Sequence, residues 1–485
     1  MRWLIALALA SAACTGSDDA FVCHDDSECV LDGTQGVCEP EQACSFPEAS
    51  CAIGRRFGAY SGESSGDCVS PWAIAIGSEF EDREPLLAGT GDGFELVETF
   101  EHVVVGGQSF DSVGGTDVLT AHVSGDRGRV SNIDTFGSEA DEAAVAVRSH
   151  GADGTVLLGR FEGDFQLGKT ALDSTVASPC WFLALRRPDG WVRQIPLSST
   201  DHPSVDVSDV SVDPTGAVWA AGSWNGEILA FGGNHVLSGP DPDRGRVPPS
   251  EGFVVAYSPE GIPEASIDLV EQFAPTLPNG LPFSECSSVA AGVGGLALVC
   301  NRALLVESAA YPGVLRVAWY AWDLEVRKLV MDDNGSLVIG GTFTTLVPPA
   351  GEQRVAVGAQ DLFVLTASIG RDALQTQHLV TYGQPGQRVE LRDIALRPGG
   401  GAVVAGSITP EGGSKSAALV LDVGADGAVA NAETFGGDAG AAATAVAIDR
   451  GGRAAVAGTF HGTLSVHGRT LAARGQADVF VLRLP

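Results

Sequence analysis

The 485-residue sequence predicts an all-β protein. Three observations carry that reading. From about residue 72 onward one unit recurs along the chain, each copy breaks into short apolar strands separated by Gly, Asp and Pro, and a helical period is almost absent. Glycine is abundant, at 63 residues, which suits a chain of many tight turns.

The repeat is plainest between Thr135-Phe136-Gly137-Ser138-Glu139-Ala140, running on to Ala144–Val147, and Thr434-Phe435-Gly436-Gly437-Asp438-Ala439, running on to Ala445–Ile448. A second strand usually ends in glycine: Val103–Gly106, Val156–Gly159, Val218–Gly222, Leu337–Gly340, Val403–Gly406 and Ala455–Gly458. In a seventh, Leu298–Asn301, asparagine stands where the others have glycine. A third strand opens on Asp117, Asp361 and Asp478, with degenerate copies at Trp181–Ala184, Gly252–Val255 and Ala417–Val420. Four short strands in each of seven units predict a seven-bladed β-propeller. The strands are too short, and the aromatic content of 7% too low, for an outer-membrane barrel.

The spacing from Gly106 to Gly458 averages about 59 residues per unit, with inserts such as 238–251 supplying the excess. The step from Asn301 to Gly340 is shorter, so the fourth unit is expected to be irregular or to lack a strand. The last unit stops at its third strand. Trp72–Gly77 looks like an outer strand without a unit of its own, and it is expected to complete that last sheet and close the ring.

Ahead of the repeats lie a leader and a cysteine-rich segment. Arg2 followed by the apolar run Leu4–Ala13 reads as a secretory signal peptide over residues 1–13, too short to span a bilayer. Ser11-Ala12-Ala13-Cys14 resembles a bacterial lipobox, which implies lipidation of Cys14, with residues 14–22 as anchor and linker. Six cysteines, Cys23, Cys29, Cys38, Cys44, Cys51 and Cys68, then fall in a segment with little apolar sequence. Disulfides are expected to staple it over residues 23–70, with the pairing open. Zinc is the rival reading, but no Cys-x-x-Cys knuckle is present and His24 is the only histidine nearby. Within residues 71–485, folding the chain into a hairpin about Val293 sets Cys286 opposite Cys300, within reach of a disulfide. That leaves Cys180 over, expected to be buried beside Trp181.

Two resemblances follow from these residues. The cysteine spacing, with Phe21 before Cys23 and Gly54-Arg55-Arg56-Phe57-Gly58 after Cys51, resembles a six-cysteine module found behind the lipid anchor of bacterial surface lipoproteins. Residues 72–485 resemble the bacterial seven-bladed β-propeller repeat family. Together they imply an exported protein on the outer membrane or cell surface, with a scaffold or binding role.

Motifs for catalysis, cofactors or metals do not survive their context. Gly163–Thr170 fits a phosphate-binding loop, yet it runs into a strand where a helix is required, and Gly462–Leu471 repeats it with Arg469 for lysine. Gly62-Glu63-Ser64-Ser65-Gly66 matches a nucleophile elbow inside a disulfide loop. Asp213-Pro214-Thr215-Gly216 resembles a sialidase Asp-box, but Asp333-Asn334-Gly335 and Asp449–Gly452 recur at the same place and read as turn caps. His461 and His467 lack a third ligand. Asp201, Asp206, Asp209 and Asp213 would hold calcium only if their oxygens converged. No catalytic, cofactor or metal site is therefore assigned.

A net charge of −32 excludes nucleic acid or an anionic bilayer as an electrostatic partner. Membrane contact is expected only through the lipid, and the partner is expected to be a protein or glycan held by the propeller loops. The reading is a non-enzyme. The alternative is a secreted propeller enzyme, a hydrolase or lyase acting on glycans, which carboxylates clustered at one channel mouth with an arginine or metal would favour.

Overall fold

The computed structural model describes residues 21–485 except 25, 40–41, 52–54, 63–64, 70, 81, 83, 152–153, 173–179, 188–189, 191, 196–204, 226–227, 233–234, 239–249, 274–282, 311, 321–323, 333, 350 and 371–372. Residues 1–20, with the expected signal peptide and Cys14, lie outside the described residues. The chain divides into two compact units, residues 1–71 and 72–484.

The first unit is held by three disulfides: Cys23–Cys38, Cys29–Cys44 and Cys51–Cys68. Cys44–Pro47 is the middle strand of a three-stranded sheet, between Val37–Cys38 and Arg55–Phe57. Its core is mostly sulfur, Cys23, Cys29, Cys38 and Cys44 packed with Phe46. The sulfurs of Cys23, Cys29 and Cys38 do lie within 4.8 Å of one another, but each is spent in a disulfide rather than presented as a zinc thiolate. Beside them Arg55 pairs with the buried Glu39 at 3.2 Å and donates to the Ser45 carbonyl at 2.7 Å, so that buried carboxylate has a cation.

The second unit is a β-propeller of seven four-stranded antiparallel sheets, and in six of them each strand pairs with its neighbour in sequence or across a hairpin. The first strands of successive blades are Leu86–Gly89, Glu142–His150, Val205–Val212, Cys286–Gly292, Leu324–Met331, Gln387–Leu396 and Ala441–Ile448. Each touches the first strand of the next blade, and the seventh touches the first, so the sheets close into a ring. Aliphatic clusters fill the seams between adjacent blades, as Val156, Leu183, Val207 and Phe253 do between blades two and three.

Closure uses both ends of the unit. Ala73–Ile76 pairs antiparallel with Asp478–Arg483, Val479 facing Ile76 and Leu482 facing Ala73, as the fourth strand of blade seven.

Three local rules explain the repeat. Asp117, Asp361 and Asp478 begin third strands and accept amides from the loop before them, Asp361 from Val357 at 2.7 Å and Gly358 at 3.0 Å. The glycine following the fourth strand sits against that carboxylate. A Cβ at Gly137 would lie 2.1 Å from Asp117, and one at Gly383 1.9 Å from Asp361, which is why the fourth strand runs into glycine. Third, the first strand bulges in six blades, skipping Val145, Ser208, Ser287, Arg327, Arg392 and Thr444. The residue just before the bulge faces the second-strand glycine, where the opposing backbone presses in: a Cβ at Gly222 would meet the Asp206 carbonyl at 2.0 Å.

Three sequence expectations change. The second strand of blade one is Gly93–Phe100, and Val103–Val105 belongs to an outer hairpin with Gln108–Asp111. Glu98 occupies the glycine register there, so the Gly-ended signal pointed one element too far. Blade four has all four strands, and what it lacks is a hairpin. Blades one, two, three, five and seven carry a two-stranded hairpin between their second and third strands, whereas blade four crosses by Asn301-Arg302 alone. Finally, the residue at the glycine register of blade four is Cys300, not Asn301. Cys300 faces Cys286 across the pre-bulge position and is disulfide-bonded to it. The hairpin turns at Val293-Gly294 and the bulge at Ser287 absorbs the extra residue, so the pairing rests on a bulge rather than on a turn centred at Val293.

Candidate functional site

First-strand residues stay paired with the second strand of their own blade on both sides of each bulge. Side chains just beyond three of the bulges accept amides from the next blade. Asp209 Oδ2 accepts from Val289 at 3.3 Å, Ser288 Oγ from Leu329 at 3.1 Å and Asp393 Oδ2 from Val446 at 3.1 Å, while in blade one, without a bulge, Thr99 of the second strand accepts from Ala144 at 3.1 Å. Lys328 Nζ lies 3.5 Å from Asp209 Oδ1 and 3.7 Å from Asp393 Oδ1. Asp209 also pairs with Arg148 and accepts from Ser288 Oγ at 2.9 Å. Lys328 is in blade five and Asp209 in blade three, and a contact that skips a blade places both near the axis of the ring. Burial pushes the Asp209 carboxyl up, but Arg148, Lys328, the Ser288 hydroxyl and the Val289 amide outweigh it and hold it below the ordinary aspartate value.

Outward from this belt, where first strands begin and second strands end, lies a mouth of mixed charge. Arg392 pairs with Glu390 at 3.2 Å and reaches Glu84 ahead of blade one at 3.7 Å, past blade seven. Arg327 pairs with Glu325 at 2.9 Å. Asp206 sits in the fields of Arg160 and Glu285. Crowding by the strands raises its carboxyl, Arg160 opposes the rise, and Glu285 adds to it. Arg327 and Arg392 are themselves bulge residues, and both are part-exposed.

The missing hairpin of blade four leaves a gap in this face. A cavity of about 660 Å³ opens there between blades four and five, lined among others by Glu285, Ser287, Arg302, Arg327, Thr342 and Gln360. Its walls offer hydrogen-bond donors and acceptors of both charges, a lining for a polar ligand rather than an apolar one.

The residues singled out from sequence are dispersed. Asp206, Asp209 and Asp213 follow one another along one strand and the turn after it. Asp209 is consumed by the belt, and Asp213 caps the turn by accepting from Thr215 at 2.8 Å and Ala217 at 3.0 Å. Asp201 lies outside the described residues. In blade five Asp332 accepts from Asn334 and Ser336 at 2.9 and 2.7 Å, and Asp333 lies outside the described residues. Gly163–Thr170 spans an outer hairpin, Phe165–Leu167 with Thr170–Leu172, and blade seven repeats it as Thr463–Val466 with Arg469–Ala472. His461 bonds the Gln476 carbonyl at 2.6 Å and His467 pairs with Glu433 at 3.1 Å, each with its own partner. Cys180 is buried at the start of a third strand, where blades one, five and seven have aspartate. In the elbow-like segment, Glu63 and Ser64 lie outside the described residues.

No known protein family and no curated protein matches the sequence. Solved structures of β-propeller proteins do match its fold. They include a gluconolactonase from Xanthomonas campestris, 11% identical over 86% of this chain and 96% of that one, with a TM-score of 0.34. YCF48 bound to a D1 peptide is 10% identical over 86% and 95%, at 0.41, and the NanB sialidase from Streptococcus pneumoniae is 12% identical over 84% and 68%, at 0.33. Such likenesses concern the fold alone.

Four disulfides mark an exported or extracellular protein. No helix among the described residues is long and apolar enough to cross a membrane.

Proposed function

We propose that this is a cell-surface lipoprotein, anchored through Cys14, whose propeller binds a polar ligand, a glycan or a protein segment, at the mixed-charge mouth. The observation that carries the reading is the blade-four gap, a polar cavity on the face where the belt has already fixed the surrounding strands. Arg327 and Arg392 stand beside glutamates that neutralise them, an arrangement suited to hydrogen-bonding a neutral or zwitterionic ligand. A screen of the full chain against glycans and cell-envelope fractions, with hydrolysis followed in parallel, tests this. Ser287→Trp, at an exposed bulge position in the cavity wall, is expected to weaken binding at least tenfold without lowering the melting temperature. Retained affinity in that variant rejects the cavity as the site. Mass spectrometry of the mature N-terminus tests the anchor, and an unmodified Cys14 removes it.

One observation favours the alternative of a glycan-acting hydrolase or lyase. Carboxylates from several blades meet arginines at one mouth, and Asp206 is raised toward general-acid behaviour with Glu285 beside it. Turnover of any glycan in the screen, abolished by Asp206→Asn, replaces the binding reading.

A further inference from the structure

Blade one breaks the glycine rule with a carboxylate. Glu98 faces Leu119 in the register where blade seven pairs Gly458 with Phe480 and blade two pairs Gly159 with Phe182. It is 1% exposed, and neither of its carboxylate oxygens has a hydrogen-bond partner. Its strand neighbours on the same side, Leu96 and Phe100, pack with Trp72, Ile76 and Val479, so Glu98 is directed into the seam between blade one and the closing blade.

Two further buried carboxylates stand in that seam. Asp478 opens the third strand of blade seven and accepts from Arg474 at 3.0 Å and Gly475 at 3.2 Å. Asp82, in the loop leading from the closing strand to blade one, accepts from Ser78 at 3.2 Å, and its own amide donates to the Ala477 carbonyl at 3.1 Å. Gly77 lies between the two: a Cβ there would stand 2.4 Å from Asp478 Cγ and 2.5 Å from Asp82 Oδ2. Burial first, and then Asp82 and Asp478, push the Glu98 carboxyl well above its ordinary value, and burial raises Asp82 to about 7. Three carboxylates enclosed together are costly unless protons or a cation neutralise them.

We propose that Asp82, Glu98 and Asp478 bind one hard divalent cation, calcium in an extracellular setting, and that this cation ties the closing strand to blade one. The donors are all carboxylate oxygens, the set that suits calcium over zinc or copper. Among the described residues these oxygens do not all approach within 4.8 Å of one another, so binding draws Glu98 inward by rotation about its side-chain torsions. The site uses none of the mouth residues.

The test uses the full chain stripped with a chelator, titrated with calcium chloride by calorimetry and melted with and without it. Expected are one calcium per chain, half-saturation on the order of 0.1–1 mM, and a melting temperature higher by about 2 °C at saturating metal. Glu98→Gly, which restores the residue of the other blades, is expected to abolish both responses while melting no lower than the metal-free parent, because it removes an unpartnered carboxyl. Glu98→Gln, nearly isosteric, serves the same readouts if the glycine variant does not fold. Absence of stoichiometric binding to the parent chain, or an unchanged calcium response in the folded variant, overturns the proposal.

Discussion

Asp209 is the residue on which the axial belt depends, and Asp209→Ala is the sharpest test of that role. In the native protein its carboxylate meets Arg148 and Lys328 and accepts from Ser288 and Val289, joining blades two to five. Removing one partner of a buried charge cluster costs about 3–5 kcal/mol, because Lys328 then keeps only Asp393 and the Val289 amide loses its acceptor. Melting entropy of roughly 2.1 cal/mol/K per residue over the propeller converts this to about 4–6 °C in melting temperature. Asp209→Ala with Lys328→Met is expected to recover part of the loss, since the stranded cation goes too. The pH dependence has a definite sign. The folded carboxyl lies below its unfolded value, so its stabilisation is complete above the ordinary aspartate range and fades as pH falls through the folded value. Asp209→Asn should therefore flatten the acid limb of a stability profile below about pH 4. A loss under 1 kcal/mol in denaturant melts, or an unchanged acid limb, refutes the belt as an energetic element.

Other outcomes follow from the same geometry. Cys286→Ala is expected to lower stability by about 3 kcal/mol, the loop-closure value for cysteines 14 residues apart, measured as a shift in denaturant midpoint. Adding Cys300→Gly to it should restore part of this by returning blade four to the glycine register. Ile76→Ala, at a 2% exposed position of the closing strand, should cost about 2–4 kcal/mol and speed proteolysis at the seam between the first and last blades. Non-reducing peptide maps of the N-terminal unit should return only the pairs 23–38, 29–44 and 51–68, and any crossed pair contradicts its sulfur core.

The sequence made the repeat, the closing strand and the cysteine segment legible because each rests on local rules written into adjacent residues. Asp at the third strand reports a loop amide to be capped, and glycine after the fourth strand and opposite the bulge reports a close approach of other atoms. Reading failed where a blade solves the same problem differently. Glu98 and Cys300 replace the marker glycine, so the second strand of blade one and the register of blade four were misplaced by that marker. The belt was invisible for another reason. Lys328 could be noticed as one of only three lysines in the chain, and Asp209 as one of several acids, but their meeting depends on blades two apart in a ring. Period and composition carry no information about which strands face one axis. The blade-four gap was signalled as a short interval, and its cause, a missing hairpin rather than a missing strand, needed the topology.

Six of the seven sheets are assembled from consecutive residues and form without waiting for distant chain. The seventh needs residues 73–76 beside 478–483, some four hundred positions apart. Ring completion is thus one long-range event following six local ones. Until it happens, the strand at 478–483 presents an unpaired edge and the apolar side chains of Ile76 and Val479 lie open. The period of greatest exposure to misassembly falls at the end of folding, and whatever hastens the docking of that short segment protects the whole ring.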